Sequence, residues 1–325
     1  MRPGFLTSFV AISILALAPP TRLTAQAPAA RAPRNQSELT LWMSELSNWG
    51  RWGADDERGT LNLITPESRV RAARLVKDGL SVSLARDSEK EKAADVSSPY
   101  EQTMRAAGMD AIAVSYHGYA HTHLDALWHI AVNDKSYNGV PRSLGWDHCA
   151  PKLSVLNVKS GVFTRGVLID VPRLKGVKYL EPGVAVFSED LEAWEKRANV
   201  RVGSGDAVFI YTGRWARRAE AGPWSVGEHA AGLHASVARW LKARDVAIVG
   251  HDGGNEVAPS LVEGVGLPLH QLLIVALGMP LFDNCDLEAV AAEAARLNRW
   301  EFLLTAAPLP ITGGTGSPLN PIATF

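Results

Sequence analysis

The sequence predicts an α/β layer fold, on three observations. Short β-prone apolar runs recur through the middle and C-terminal parts of the chain. Helical periodicities separate several of these runs, and 325 residues with 46% hydrophobic content suffice for one large core.

Residues 1–27 start with a positive Arg2, pass through a mostly apolar stretch at 5–18 and end on Ala25-Gln26-Ala27. That layout reads as a secretory signal peptide, too short to span a bilayer comfortably, and implies a secreted, periplasmic protein. Residues 28–37, rich in Ala, Pro and Arg, read as a linker with no core to join, so the folded domain is expected over 38–325. Leu39, Leu41, Trp42 and Leu46 recur at helical spacing and predict a helix over 38–52. A polar, turn-rich loop follows. Thr65 as N-cap, with Pro66 in the first turn, predicts a second helix ending near Lys77. Strands are expected at 80–85, 111–116, 166–171, 207–212 and 246–249, and helices at 188–198, 229–243 and 287–297.

Charge narrows the partners. With 33 basic and 34 acidic residues the net charge is -1, and no block of like charge stands out. This argues against nucleic acid and, after leader cleavage, against a membrane, and leaves a small-molecule substrate as the expected partner. Cys149 and Cys285 have no CxxC context and read as two lone buried cysteines. Gly313-Gly314-Thr315-Gly316 lacks the following helix that a phosphate-cradling loop needs.

Four of the nine histidines fall between positions 117 and 129, in His117-Gly-Tyr-Ala-His121-Thr-His123-Leu-Asp125-Ala-Leu-Trp-His129. In an extended segment, residues 117, 119, 121, 123 and 125 share one side, so three imidazoles and a carboxylate would face together. Imidazole plus carboxylate is the ligand set of a catalytic divalent metal, zinc or manganese. His129 lies four past Asp125, where a turn can bring it over the same place. Weaker candidates for contacting a substrate are Trp128 as an aromatic wall, Arg214 as a carboxylate binder at a strand end, and Asp252 in the loop His251-Asp252-Gly-Gly.

Two metal patterns compete. His121-Thr-His123-Leu-Asp125 starts the HxHxDH pattern of metallo-β-lactamase-like hydrolases, but Ala126 stands where that pattern needs histidine. Thr122-His123-Leu-Asp125-Ala126-Leu-Trp-His129 resembles instead the second half of H-x-G-T-H-x-D-A-P-x-H, the hallmark of the cyclase family, which includes bacterial kynurenine formamidase and isatin hydrolase. Residues 52–62, 165–171, 205–214 and 314–323 resemble further segments of its longer bacterial branch, in order.

The resemblance implies a single cyclase-like domain of the swivelling β/α/β type with a mixed central sheet, forming homodimers or homotetramers. It implies His123 and Asp125 as metal ligands, Asp125 able to bridge two ions, and His129 as proton shuttle. The family's first histidine falls on Tyr119, so His117 or His121 must take that ligand place. A second ligand pair corresponds to His270 and Asp283, with Asp where the family has Glu. One or two Zn2+ or Mn2+ ions are thus expected. The implied activity is hydrolysis of a small amide (a formamide, as in an arylformamidase, or a lactam) or of an ester or lactone by metal-activated water. A metal-dependent lyase or dehydratase and a non-catalytic periplasmic binding protein are the other readings.

Overall fold

The computed structural model describes residue 1 and residues 32–144 and 149–325; the segment expected to be a signal peptide, apart from residue 1, lies outside the described residues. The strands are β1 (Ser81–Ser83), β2 (Glu101–Ala106), β3 (Met109–Ala113), β4 (His123–Asp125), β5 (Val162–Asp170), β6 (Ala185–Val186), β7 (Ala207–Tyr211), β8 (Gly232–Leu233), β9 (Ile248–His251), β10 (Leu281–Asp283), β11 (Glu301–Ala306), β12 (Gly316–Pro318) and β13 (Ile322–Thr324). The helices are α1 (Gln36–Glu45), α2 (Pro66–Ala73), α3 (Val171–Lys175), α4 (Ser188–Ala198), α5 (Arg214–Ala221), α6 (Val237–Ala243), α7 (Pro268–His270) and α8 (Glu288–Leu297).

Nine strands form one mixed sheet in the order β1-β13-β11-β5-β7-β9-β10-β4-β12. Strands β5, β7, β9 and β10 run parallel, and the flanking pairs are antiparallel. The sheet curls enough that Ser83 of one edge strand and Pro318 of the other line a common cavity. Strands β7 and β9 are buried at every position, which explains the apolar runs at 207–211 and 246–249. The α/β class and mixed sheet expected from the sequence are therefore the observed ones.

Local chemistry accounts for where elements start and stop. Thr65 accepts a hydrogen bond from the Ser68 amide at 3.2 Å, capping α2 as its sequence predicts, although α2 ends at Ala73 rather than Lys77. Helix α4 matches its expected span. Helix α1 is shorter than the expected 38–52 because the following residues take tertiary partners. Asn48 donates to the Leu277 carbonyl (3.0 Å) and the Trp49 indole to the Val275 carbonyl (2.7 Å). The supposed linker partly belongs to the fold: Asn35 caps α1, and the Glu263 amide donates to the Arg34 carbonyl. The expected helix over 229–243 is confined to α6, since Gly232–Leu233 pairs with β6 instead. The β2–β3 hairpin, exposed along nearly all its length, is a pairing that the strand expected at 111–116 did not include. Both cysteines are free; Cys285 is buried, but Cys149 is exposed, contrary to expectation.

Candidate metal centre

Strand β4 lies between β10 and β12, antiparallel to both. Register pairs His123 with Asp283, so these two residues share a face of the sheet, while Leu124 turns into the core. His117 arrives from the loop before β4. Gly316 makes room for it: a Cβ there would lie 3.1 Å from His117 Cε1 and 2.4 Å from the Leu124 carbonyl oxygen. His129 returns from the turn after β4, and His270 comes from α7, whose next residues form the π-helical turn Gln271–Leu277.

Asp125 is the centre. Its Oδ1 lies 2.9 Å from His117 Nδ1 and 3.4 Å from His123 Nε2. Its Oδ2 lies 3.7 Å from His129 Nε2 and 3.6 Å from His270 Nε2, and His270 Nε2 is also 3.7 Å from Asp283 Oδ2. Two ligand-like triads result, His117–His123–Asp125 and Asp125–His270–Asp283, which share the aspartate.

The outer hydrogen bonds decide which ring nitrogens carry protons. His123 Nδ1 donates to the His121 carbonyl at 2.8 Å, and His270 Nδ1 donates to Glu256 Oε2 at 2.6 Å. In the neutral rings this leaves bare Nε2 lone pairs turned toward carboxylate oxygens, an arrangement that needs a cation or added protons. Both oxygens of Asp125, buried at 1% exposure, lack a hydrogen-bond partner among the described residues, and His117 Nδ1 stands nearby without hydrogen-bond alignment. Orphaned buried acceptors facing bare imidazole nitrogens fit a divalent cation. Titration reflects the same crowding. Burial opposes charge on Asp125, yet His129, His123 and His117 hold its carboxyl well below the usual range. Burial likewise opposes charge on His270, but Glu256, Asp125 and Asp283 keep its pKa well above that of a free imidazole. Burial pushes His129 down to about 4.

Of the residues singled out in the sequence, His117, His123, Asp125, His129, His270 and Asp283 converge here. His121 does not. The chain bends before β4, and the His121 Nε2 meets the Ser98 carbonyl at 3.0 Å, away from the cluster. The structure places the three weaker candidates among buried residues. Trp128 is 2% exposed and packs in the core beneath the Arg142 guanidinium. Asp252 is fully buried and accepts from the Thr212, Gly213 and Arg214 amides at the start of α5, which leaves it no capacity for a substrate. Arg214 is buried, donates to Asn284 Oδ1 (2.6 Å) and to the Tyr119 carbonyl, and lies 3.6 Å from Asp95.

Two residues were not singled out as site residues. Glu256 orients His270 through both its oxygens, also accepting from the His270 amide at 2.7 Å. Its place five residues after His251 was the available signal. Tyr119, at the family's vacant histidine position, has its ring against Gly227 and Gly254, and burial beside Glu256 and Asp283 raises its pKa.

A family model described as a putative cyclase matches residues 74–255, more than half of the chain. Among solved structures, one described as a novel cyclase is 33% identical, with a TM-score of 0.77, and the match covers 87% of this chain and 99% of that one. Isatin hydrolase A from Labrenzia aggregata, bound to benzyl benzoate, is 20% identical over 78% of this chain and 94% of its own, with a TM-score of 0.55. An isatin hydrolase bound to the product analogue thioisatinate is 17% identical over 80% and 98%, with a TM-score of 0.53. No match was found among curated proteins.

Proposed function

The chain belongs to the cyclase family, and from that premise we propose that it is a metal-dependent hydrolase of small amides or esters. One observation carries the reading: a buried aspartate with two orphaned oxygens, ringed by four imidazoles and a second aspartate. His117, His123 and Asp125 would hold one cation, and His270 and Asp283, sharing Asp125, a second. Zn2+ and Mn2+ both suit imidazole and carboxylate donors. A divalent cation at such a site supplies polarisation of a carbonyl and acidification of water.

The chain's own groups supply the rest. Glu256 and the His121 carbonyl fix the His270 and His123 rings with Nε2 facing inward. His129 stacks on His117 with ring centroids 4.0 Å apart and keeps part of its side chain in solvent. Its depressed pKa leaves the ring uncharged at neutral pH, able to take a proton from water at a free ring nitrogen and return it to the leaving nitrogen or oxygen. Metallo-β-lactamase-like chemistry is dropped, because the family and the core position of Ala126 both oppose it.

The substrate class we propose is an aryl formamide, a lactam or a lactone; the isatin hydrolases of the same fold support the cyclic members. The N-terminal pattern supports export to the periplasm, and the family resemblance supports a homodimer or homotetramer. Elemental analysis of protein starting at residue 28, beside His123→Ala and Asp125→Ala, tests the centre. About one or two equivalents of zinc or manganese in the parent, lost in both variants, is the expected result. An amide and lactone screen then follows, in which a product lacking added water would indicate a lyase instead. No bound metal, with no activity restored by adding it, would remove the basis of the proposal.

A further inference from the structure

The parallel run β5-β7-β9-β10 has a second opening at its carboxyl edge, separate from the histidine cluster. Open α/β sheets present ligand crevices at this edge. A cavity of about 550 Å³ lies where β5 and β7 end, within the size range of small-molecule sites. Asp170 and Tyr211, the last residues of these strands, are register partners and both line it.

Three polar groups of its lining make no ion pair and no close hydrogen bond among the described residues. Tyr211 is only 8% exposed, yet its hydroxyl makes no hydrogen bond among the described residues. Arg197, from α4, forms no ion pair within 4 Å among the described residues; the carboxylate that feels its charge is Asp170, and its hydrogen bond is a long contact of 3.4 Å to the Leu174 carbonyl. Glu288, at the start of α8, makes no hydrogen bond or ion pair with its carboxylate among the described residues, although the charges of Arg86 and Lys178 act on it. By contrast, Asp170 is engaged by Arg173, and Lys178 by Glu220. Pro172 and Val177 add an apolar wall.

We propose that this cavity binds a small zwitterion with an apolar body. A carboxylate would meet the Arg197 guanidinium and the Tyr211 hydroxyl, and an ammonium group would meet Glu288. Guanidinium and phenol donors recognise a carboxylate by charge-assisted hydrogen bonds. A carboxylate with no close ion pair at the same cavity makes a simple anion a poor occupant and selects for the added cation. None of these residues belongs to the histidine cluster, so the site stands whether or not that centre is hydrolytic.

Isothermal titration of the protein from residue 28 with L-leucine tests this, beside 4-methylpentanoate, which lacks the ammonium, and 3-methylbutylamine, which lacks the carboxylate. L-leucine binds at one saturable site, and each analogue binds about tenfold more weakly or worse, as loss of a charged hydrogen bond implies. Tyr211→Phe, which keeps the ring, and Arg197→Gln, at an exposed position, each weaken L-leucine by a similar factor. Should Tyr211→Phe fail to fold, Arg197→Gln decides alone. Absence of saturable L-leucine binding overturns the proposal, as does undiminished binding in the folded variants. Equal affinity for either analogue overturns the zwitterion assignment.

Discussion

Replacing Glu256 by Gln removes one charge and leaves the side chain the same size, so it tests the orientation of His270 directly. Both Glu256 oxygens serve that residue: Oε1 accepts from its amide at 2.7 Å and Oε2 from its Nδ1 at 2.6 Å. The amide can only donate, so the glutamine oxygen must stay with it. The glutamine nitrogen, a donor, then faces Nδ1, which must become an acceptor. The ring proton moves to Nε2, the nitrogen 3.6 Å from Asp125 Oδ2 and 3.7 Å from Asp283 Oδ2, and the ligand lone pair is lost. A charge-assisted hydrogen bond is worth about 1.5–3 kcal/mol. Loss of an outer partner of a metal-bound histidine costs about 10–100-fold in affinity, or about 1.4–2.8 kcal/mol, so the two estimates agree. Competition with a chromogenic chelator at pH 7.5 should show one zinc equivalent weakened by that factor in Glu256→Gln, with the other retained. Unchanged affinity and stoichiometry in a variant that melts like the parent would refute the reasoning, because His270 would then not bind through Nε2.

Three further outcomes follow from other parts of the molecule. His129→Ala should keep metal affinity within about threefold while lowering turnover by about 10²–10⁴ on whichever amide or lactone the screen finds; loss of metal would make His129 a ligand. Burial pushes the Asp206 carboxyl up to about 6, above its unfolded value of 3.8, so the folded state holds the proton more tightly and stability rises as pH falls through 6. Urea melts should therefore show the parent gaining about 1.4 kcal/mol over Asp206→Asn between pH 7.5 and pH 5, and a constant difference would contradict the assignment. Asp252→Asn places an N–H donor among the Thr212, Gly213 and Arg214 amides that now donate to the carboxylate, and should cost about 2–4 kcal/mol in the same melts.

Sequence spacing revealed the parts of the centre that lie on one local segment. His123, Asp125 and His129 are set by two periodicities, the alternation of a strand and a turn of four. His117 and His121 share strand parity, and only the bend before β4 separates them, because His121 finds the Ser98 carbonyl. That partner is distant in sequence and invisible to any alternation rule. The bonds of Arg214 and Asp252 are equally hidden from the sequence. A strand-end arginine and aspartate suggest ligand contacts, but here they meet backbone groups and Asn284. Trp128 sits among site residues in sequence while its ring belongs to the core. Glu256 offered one signal, its place five residues after His251, but the ring it orients lies fourteen residues further along the chain.

Buried polar residues explain how the two halves of the centre meet. Asn284 follows Asp283 directly and adopts a left-handed backbone (φ 54), a conformation that asparagine tolerates better than most residues. Its side-chain nitrogen donates to the carbonyls of Gly118 (2.7 Å) and His121 (3.2 Å), and its own carbonyl accepts from the Thr122 hydroxyl (2.7 Å). The loop holding His117 and the approach to His123 are thereby tied to the strand end holding Asp283. Arg214 locks the tie, donating to Asn284 Oδ1 and to the Tyr119 carbonyl, and Asp252 in turn holds the backbone that aims Arg214. Burial lowers the Arg214 pKa only to about 10, so the guanidinium stays charged at neutral pH. A buried cation beside a cluster rich in histidine is costly, and Arg214 Nε finds no hydrogen-bond partner among the described residues. Here its bonds go to the segments that must converge, so the cost stabilises the loop arrangement on which both ligand triads depend.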